Sequence, residues 1–282
     1  MTRLFVDQLT VIDFSYLDHN RGLLGESWLV NCELSGELND EGMLFDFGHV
    51  KKTIKQFIDN FADHKLLIAT QTPNLTITTE QQDRTSIEWK NGPRFLNTSA
   101  PSDAFLFIDA QCITEEILAR LMETELMNIL PDNVTGVSLD LYPEAINAAF
   151  YHYSHGLKKH DGNCQRIAHG HRSPIEIYID GKRDQILEKQ WAITFNDIYI
   201  GTREDIVDTP DQTPDTIRFK YQAPQGEFEL SMNRDQVYLI DTDSTVEWIA
   251  NHIAKTIHQQ HPNSTVKVKA FEGYRKGAIA EY

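Results

Sequence analysis

LLGESWLVNCELSG (residues 23–36) and AHGHRSPIEIYIDG (residues 168–181) align with each other without a gap. Gly25 falls on Gly170, the two final glycines also match, and an apolar-rich strand lies between the glycines in both copies. The two stretches are about half a chain apart. Such self-similarity is typical of a repeated supersecondary unit, so the alignment predicts a tandem architecture.

A second pair of blocks follows in the same order. FIDAQCITEEILARL (residues 107–121) aligns with LIDTDSTVEWIANHI (residues 239–253), and an Ile-Asp pair coincides in the two. Two matched blocks in one order favour an ancient duplication over a chance match, although chance is possible at this level of identity. We place the division near residues 145–150, with units at 1–146 and 147–282.

Each copy has the pattern of an α+β unit with antiparallel strands. Ile175, Ile177 and Ile179 alternate with polar residues, as in a half-buried strand. Further strands are predicted in the Thr- and aromatic-rich stretches 76–89 and 216–230, and at 137–141 and 266–271. Helices are predicted at 114–130 and 245–261, the second with Thr245 as its N-cap. An earlier helix has one apolar face, formed by Val50, Ile54, Phe57, Ile58 and Phe61.

Composition narrows the class of protein. The chain has 282 residues, a net charge of −16, 40% hydrophobic and 24% charged residues, which predicts a soluble globular protein. The acidic balance argues against a non-specific nucleic-acid binder, and no apolar run reaches the ~18 residues of a membrane helix. The start lacks a secretory signal, and three cysteines are too few for a disulfide scaffold. We therefore expect a cytoplasmic protein.

Histidine is concentrated in the second copy, where five of the 11 histidines fall between His152 and His171. His169-Gly170-His171 begins a predicted strand, and side chains two residues apart on a strand project from the same face. His155, in YHYSH, would come from the preceding strand as a third ligand. Three histidines with an open position are the composition of a catalytic zinc site. An H-x-H pair also occurs by chance on protein surfaces, so these residues alone do not establish a metal site.

The first copy has no equivalent histidines. Leu24 and Glu26 stand where the second copy has His169 and His171, and counting along the chain places Asp18 at the position of His155. Leucine cannot ligate a metal. The comparison therefore predicts one metal site per chain.

The pair Asp63-His64 occurs only in the first copy, which is the reverse of the distribution of the clustered histidines. An Asp beside a His can orient and tune an imidazole for proton transfer. The stretch of the second copy that we match to it, residues 201–207 (GTREDIV), contains no histidine. The alternative is that Asp63 caps local backbone and His64 is a solvated surface residue.

Several motifs in this order resemble the 6-pyruvoyltetrahydropterin synthase family, which includes bacterial 6-carboxytetrahydropterin synthase. They are GMLFDFGHVKK, ADHKLL, YHYSH, Cys164 followed by HGH, STVEWIANHI and KAFEG. The resemblance covers most of the chain, with the motifs divided between the two units. It implies two tandem tunnelling-fold units, each an antiparallel sheet with helices packed on one face, that assemble into homo-oligomeric barrels.

The resemblance also implies a composite site. Zn²⁺ would be held by His155, His169 and His171, while Asp63 and His64 would come from the first unit of the same or another chain. The remaining roles implied by the family are a thiolate base at Cys164, a pterin anchor at Glu272 and a further substrate contact at Thr245. Asp140 lies near the anchor position in the first unit.

The activity implied is that of a lyase acting on 7,8-dihydroneopterin triphosphate. Formation of 6-carboxytetrahydropterin, on the queuosine route, is preferred to 6-pyruvoyltetrahydropterin formation. Two alternatives stay open: a pterin-binding or assembly protein whose catalysis has eroded, and a zinc hydrolase unrelated to pterins.

Two features depart from compact members of the family. The spacing of Cys164 from His169 differs by one residue from the common pattern, so Cys164 could instead be a fourth ligand that closes the metal site. Extra stretches, residues 71–105 and 208–238, are expected to reshape the mouth of the pocket or the oligomer.

Overall fold

The structure is a computed structural model that describes residues 2–80, 83–208 and 213–282. The side chains of Val50 and Glu80, and residues 81–82 and 209–212 of the extra stretches, lie outside the described part. Within that part, no helix is both long and apolar enough to cross a membrane.

In the part of the chain that the structure describes, the N-terminal unit has eight strands and two α-helices. In chain order they are β1 (Thr2–Asp18), β2 (Gly22–Gly36), α1 (Phe47–Phe61), β3 (Leu66–Ala69), β4 (Leu75–Glu80), β5 (Arg84–Asn91), β6 (Arg94–Pro101), β7 (Phe105–Ile108), α2 (Glu115–Leu126) and β8 (Val134–Pro143).

Among the described residues, the C-terminal unit repeats this order with two strands added and with two strands instead of three in its extra stretch. Its elements are β9 (Phe150–His155), β10 (His169–Ile179), β11 (Lys182–Arg183), α3 (Gln185–Thr194), β12 (Ile198–Thr202), β13 (Thr216–Ala223), β14 (Gly226–Asn233), β15 (Val237–Ile240), α4 (Val246–Gln260), β16 (Val266–Phe271) and β17 (Gly277–Glu281). The proposed division at residue 146 falls between β8 and β9.

Each unit is built on one sheet that carries two helices, and the sheet is mixed rather than antiparallel throughout as predicted. The sheet orders are β7-β3-β1-β2-β8 and β15-β12-β9-β10-β16-β17, with β11 paired to β10. The long strands pair antiparallel, whereas the short strands β3, β7, β12 and β15 join parallel. Ile54 and Ile58 of α1 are fully buried against the first sheet, and Ile253 of α4 is fully buried against the second. The α+β class and the two tandem tunnelling-fold units are confirmed.

The helices begin where side chains can satisfy their free backbone N–H groups. The side chain of Asp46 accepts from the amides of Gly48 and His49 at the start of α1. Thr245 caps α4, as predicted, by accepting from the amide of Trp248. β16 covers residues 266–271, which is the range the sequence predicts.

The extra stretches form a sheet that neither unit could build alone. β14 pairs antiparallel with β6, so hairpins from both units make the five-stranded sheet β13-β14-β6-β5-β4. Its apolar face covers a core shared by the two units, which includes Trp89, Phe219 and Phe228. These stretches therefore join the two units within one chain, a role that we did not predict.

Strand register corrects three of the predicted equivalences between the units. Ser15 pairs with Gly25 and Ser154 with Gly170, so the equivalent of His155 is Tyr16 and not Asp18. The register of the parallel strands places the counterpart of Asp63-His64 at residues 196–197, just before β12, and not in the stretch 201–207. The counterpart of Glu272 is Pro143, not Asp140. Counting along the chain failed because it does not reveal which residues pair across the sheet, and pairing matches Phe14 to Tyr153.

The two units cross at their first hairpins. Ser15 Oγ lies 2.7 Å from Ser154 Oγ in a hydrogen bond between equivalent residues. Beside them, a Cβ added to Gly25 would lie 1.9 Å from the carbonyl oxygen of Tyr153, and one added to Gly170 would lie 2.5 Å from Gly25 Cα. The crossing therefore requires glycine in both units.

We expect Gly25→Ala to lower the free energy of unfolding by roughly 3 kcal/mol, because the new methyl group must push the two backbones apart. Gly42→Ala is the matched control. Gly42 has a φ of 74° with nothing within 4 Å of the added Cβ, so this variant reports backbone strain alone, about 1 kcal/mol. Denaturant unfolding monitored by fluorescence measures both. Equal losses in the two variants would contradict a tight crossing.

Candidate metal centre at the crossing of the two units

Three histidines converge at the end of the β9–β10 hairpin. His155 ends β9 and pairs in register with His169, the first residue of β10, while His171 follows two residues later on the same face. Their side chains are essentially fully buried, with exposures of 0%, 0% and 1%. One possible ligand atom from each lies within 4.8 Å of the others.

Hydrogen bonds fix two of these imidazoles so that Nε2 is free. His155 Nδ1 donates to the carbonyl of Ser244 at 2.9 Å, and His169 Nδ1 donates to the carbonyl of Arg166 at 3.0 Å. Because a carbonyl only accepts, Nδ1 carries the proton in both rings. Such bonds are the usual way in which metal-ligating histidines are oriented.

The ring nitrogens that face one another have no partner among the described residues. They are His155 Nε2, His169 Nε2 and His171 Nε2, whereas His171 Nδ1 faces the carboxylate of Asp13. Burial, followed by the neighbouring histidines, holds the pKa of His169 well below its usual value, and burial does the same for His155. Buried imidazole nitrogens without a hydrogen-bond partner are the donor set of a metal ion such as zinc, so these residues fit one.

Asp63 and His64 lie beside this cluster, in the same chain. They occupy the loop between α1 and β3, and the His64 ring is centred 5.0 Å from that of His169. His64 Nδ1 is 2.6 Å from Asp63 Oδ2, and the two side chains are 16% and 18% exposed. The two residues are therefore neither a backbone cap alone nor a solvated surface pair.

The environment of His64 favours its charged form. Burial lowers its pKa, but hydrogen bonds with Asp63 and Cys164 outweigh burial and raise the pKa to about 10. An imidazole so held next to a carboxylate can carry a proton to or from a bound molecule.

Cys164 reaches the same place from the long turn between β9 and β10. It lies in a one-turn helix, Asn163–Gln165, and is partly exposed. Its Sγ, a ring nitrogen of His64 and one of His169 lie within 4.8 Å of one another. Cys164 is thus close enough to serve either as a base or as a fourth ligand.

The remaining predicted residues lie around this centre. Glu272 follows β16 in a turn whose next residue, Gly273, packs on Asp13. Thr245 lies next to Ser244, whose carbonyl orients His155, but its hydroxyl already caps α4. A substrate contact of Thr245 stays a prediction.

Sequence reasoning missed two buried residues of the N-terminal unit, Asp13 and Ser27, and the exposed Lys276 of the C-terminal unit. Asp13 Oδ1 is 3.2 Å from His171 Nδ1, and Lys276 Nζ is 2.9 Å from Asp13 Oδ2. Although burial raises the pKa of Asp13, His171 and Lys276 hold it well below its usual value. Ser27 donates to the same carboxylate. In the sequence, the only indication of a different role for the first copy was its lack of histidines at the positions of His169 and His171.

A buried histidine cluster between two crossed tunnelling-fold units defines a candidate metalloenzyme. The family model for 6-pyruvoyl tetrahydropterin synthase matches the chain twice, at residues 12–153 and 144–282. The chain therefore belongs to that family, as a tandem duplication, and it is a lyase of the 6-carboxytetrahydropterin/6-pyruvoyltetrahydropterin synthase type.

Related proteins match one unit at a time. A provisionally named 6-carboxy-5,6,7,8-tetrahydropterin synthase of Pyrococcus horikoshii is 25% identical over 138 residues, which is 49% of this chain and 79% of that protein. Its Pyrococcus abyssi counterpart is 33% identical over 63 residues, 22% of this chain and 37% of that protein.

Solved structures match in the same way. The 6-pyruvoyltetrahydropterin synthase of Plasmodium vivax is 16% identical with a TM-score of 0.40, and that of Plasmodium falciparum is 14% identical with a TM-score of 0.38. Each match covers 50% of this chain and 90% of the other.

We expect His169→Gln to weaken binding of a divalent metal more than about 100-fold, since even residues that only orient metal ligands contribute 10–100-fold. His152→Gln is the matched control: His152 is also buried on β9, but its Nδ1 donates to the carbonyl of Gly25. Competition with a chromogenic chelator measures the affinity. Equal loss in the two variants would contradict the assignment of the ligands.

Proposed function

We propose that the chain is a zinc-dependent pterin lyase that acts on 7,8-dihydroneopterin triphosphate and forms 6-carboxy-5,6,7,8-tetrahydropterin. The observation that carries this proposal is the meeting of three buried histidines from one unit with Asp63 and His64 from the other. The names of the two Pyrococcus relatives support the choice of product.

In this proposal His155, His169 and His171 hold the zinc ion. A zinc ion there would supply Lewis acidity toward a hydroxyl group on the substrate side chain. The burial of the three rings excludes water from around them, which strengthens electrostatic interactions at the site.

The chain's own residues handle the substrate and its protons. Glu272 accepts paired N–H bonds from the amino-pyrimidine edge of the pterin and so fixes its orientation. Cys164, as a thiolate, takes a proton from the side chain. His64, held by Asp63, exchanges a proton on the other face of that side chain. Loss of triphosphate and cleavage of the side chain, with uptake of one water molecule and release of the two terminal side-chain carbons as acetaldehyde, complete the reaction.

The same proposal explains why one chain needs two unequal units. The N-terminal unit has Tyr16, Leu24 and Glu26 at the positions of the three histidines, so it cannot form the same ligand set. It keeps instead the Asp-His pair that the C-terminal unit lacks, since residues 196–197 are Asn and Asp. We therefore propose one zinc ion and one active site per chain. Homo-oligomerisation and a cytoplasmic location stay predictions from the sequence.

Incubation with 7,8-dihydroneopterin triphosphate tests the activity. We expect the zinc-loaded protein to release triphosphate, and mass spectrometry to identify the 6-carboxy product. His64→Gln should lower kcat at least about 100-fold with zinc retained, because proton transfer contributes 10²–10⁴-fold. His160→Gln, at an exposed histidine, is the control. A wild type that binds zinc and pterin but releases no triphosphate would instead indicate an eroded enzyme, and a 6-pyruvoyl product would identify the other branch of the family.

Cys164→Ala separates the two roles of this cysteine. As a base, Cys164 is needed for turnover but not for the metal, so the variant should lose at least about 100-fold in kcat with unchanged zinc affinity. Exposed Cys112→Ala should change neither. Loss of zinc in the Cys164 variant would show that it is a fourth ligand.

A further inference from the structure

Asp13 is an acidic residue of the N-terminal unit in the interior of the metal centre. It lies on β1 and is only 2% exposed, and its Oδ1 is 3.2 Å from Nδ1 of His171 on β10. The metal ligands His155 and His169 are oriented by backbone carbonyls. Among the described residues, His171 Nδ1 makes no such bond, and the Asp13 carboxylate stands in that place.

The carboxylate of Asp13 is itself held in position on several sides. Ser27 Oγ donates to Oδ1 at 2.5 Å, and Lys276 Nζ is 2.9 Å from Oδ2. A Cβ added to Gly273 would lie 2.3 Å from Oδ1, so the turn that follows Glu272 packs directly on this group. A buried carboxylate with a cationic partner and a hydroxyl donor is fixed and ionised.

The backbone of Asp13 holds the Asp-His pair. Its N–H donates to Asp63 Oδ1 at 2.8 Å, and its carbonyl accepts from the N–H of His64 at 2.7 Å. One residue thus connects the proposed metal ligand His171, the proposed proton carrier His64 and the turn after Glu272.

A second acid–histidine pair lies across the crossing, although its histidine Nδ1 donates to the carbonyl of Gly25. By strand register His152 is the counterpart of Asp13, and Glu26 is the counterpart of His171. Their side chains approach to 3.7 Å between His152 Nδ1 and Glu26 Oε2, so acid and histidine have exchanged units. This pair provides a control with the same chemistry, outside the histidine cluster.

We infer that Asp13 is a positioning residue for the metal centre: its carboxylate holds the proton of His171 on Nδ1 and turns Nε2 toward the metal. The N-terminal unit then contributes to metal binding without supplying a ligand. The inference rests on the proposed function for its choice of zinc, but it is tested without turnover.

Zinc affinity of Asp13→Asn, measured by chelator competition in the absence of substrate, tests this role. We expect a 10- to 100-fold weaker Kd, which is the range for residues that orient metal ligands. Glu26→Gln makes the same carboxylate-to-amide change at the equivalent pair and should stay within about twofold of the wild type. Circular dichroism of the metal-free proteins checks that both variants fold. Equal affinities for Asp13→Asn and wild type would overturn the inference.

A second measurement on the wild type guards against an unfolded variant. Nitrogen-15 NMR of the metal-free protein should show the His171 proton on Nδ1 with Nε2 bare, the signal being assigned by its loss in His171→Gln. A proton on Nε2 with Nδ1 bare would overturn the inference. Absence of triphosphate release by zinc-loaded wild type would contradict the proposed function alone, whereas absence of zinc binding would contradict both.

Discussion

The close crossing of the two hairpins at Gly25 and Gly170 is the constraint on which the rest of the structure depends. Because neither residue has a Cβ, the backbones of the two units meet with room for one hydrogen bond between Ser15 and Ser154. Only at this separation can side chains of one unit reach the histidines of the other. A larger residue at either position would move the histidines of one unit away from the side chains of the other unit that contact them.

Burial of the histidine cluster links stability to metal binding. A buried polar group without a hydrogen bond costs about 1–3 kcal/mol, and several ring nitrogens of this cluster have no partner among the described residues. Such a site is stabilised by the ion that satisfies it, so metal affinity is partly folding free energy. The sheet formed jointly by β6 and β14 supplies a shared apolar core that holds the units together around the cluster.

The two units have diverged in a complementary way. The C-terminal unit keeps three histidines, whereas the N-terminal unit has Glu26 at one of these positions, where burial raises its pKa to about 7. The partner of Glu26 is His152, whose pKa burial lowers to about 4. Around the histidine cluster the corresponding pair is Asp13 and His171. Duplication within one chain permits this asymmetry, because each copy is always next to the other.

Much of the fold was predictable from local patterns. Matched glycines revealed the repeat, alternation of isoleucines revealed β10, and the Thr245 cap and strand 266–271 were predicted where they occur. The family motifs pointed to the histidines and to Asp63-His64. The equivalences of Asp18 and of residues 201–207 were wrong, because register depends on pairing across a sheet and not on distance along the chain.

The sequence by itself determined the duplication, the α+β class and the residues with metal-binding and proton-transfer chemistry, since these follow from periodicity, spacing and residue type. Only the tertiary structure decided that the two sets of residues meet within one chain, that the extra stretches form a common sheet, and that Asp13 faces His171. The physical reason is that contacts across the crossing join residues far apart in sequence. A lone aspartate on a strand carries no local signal of the partner that it meets when two sheets pack together.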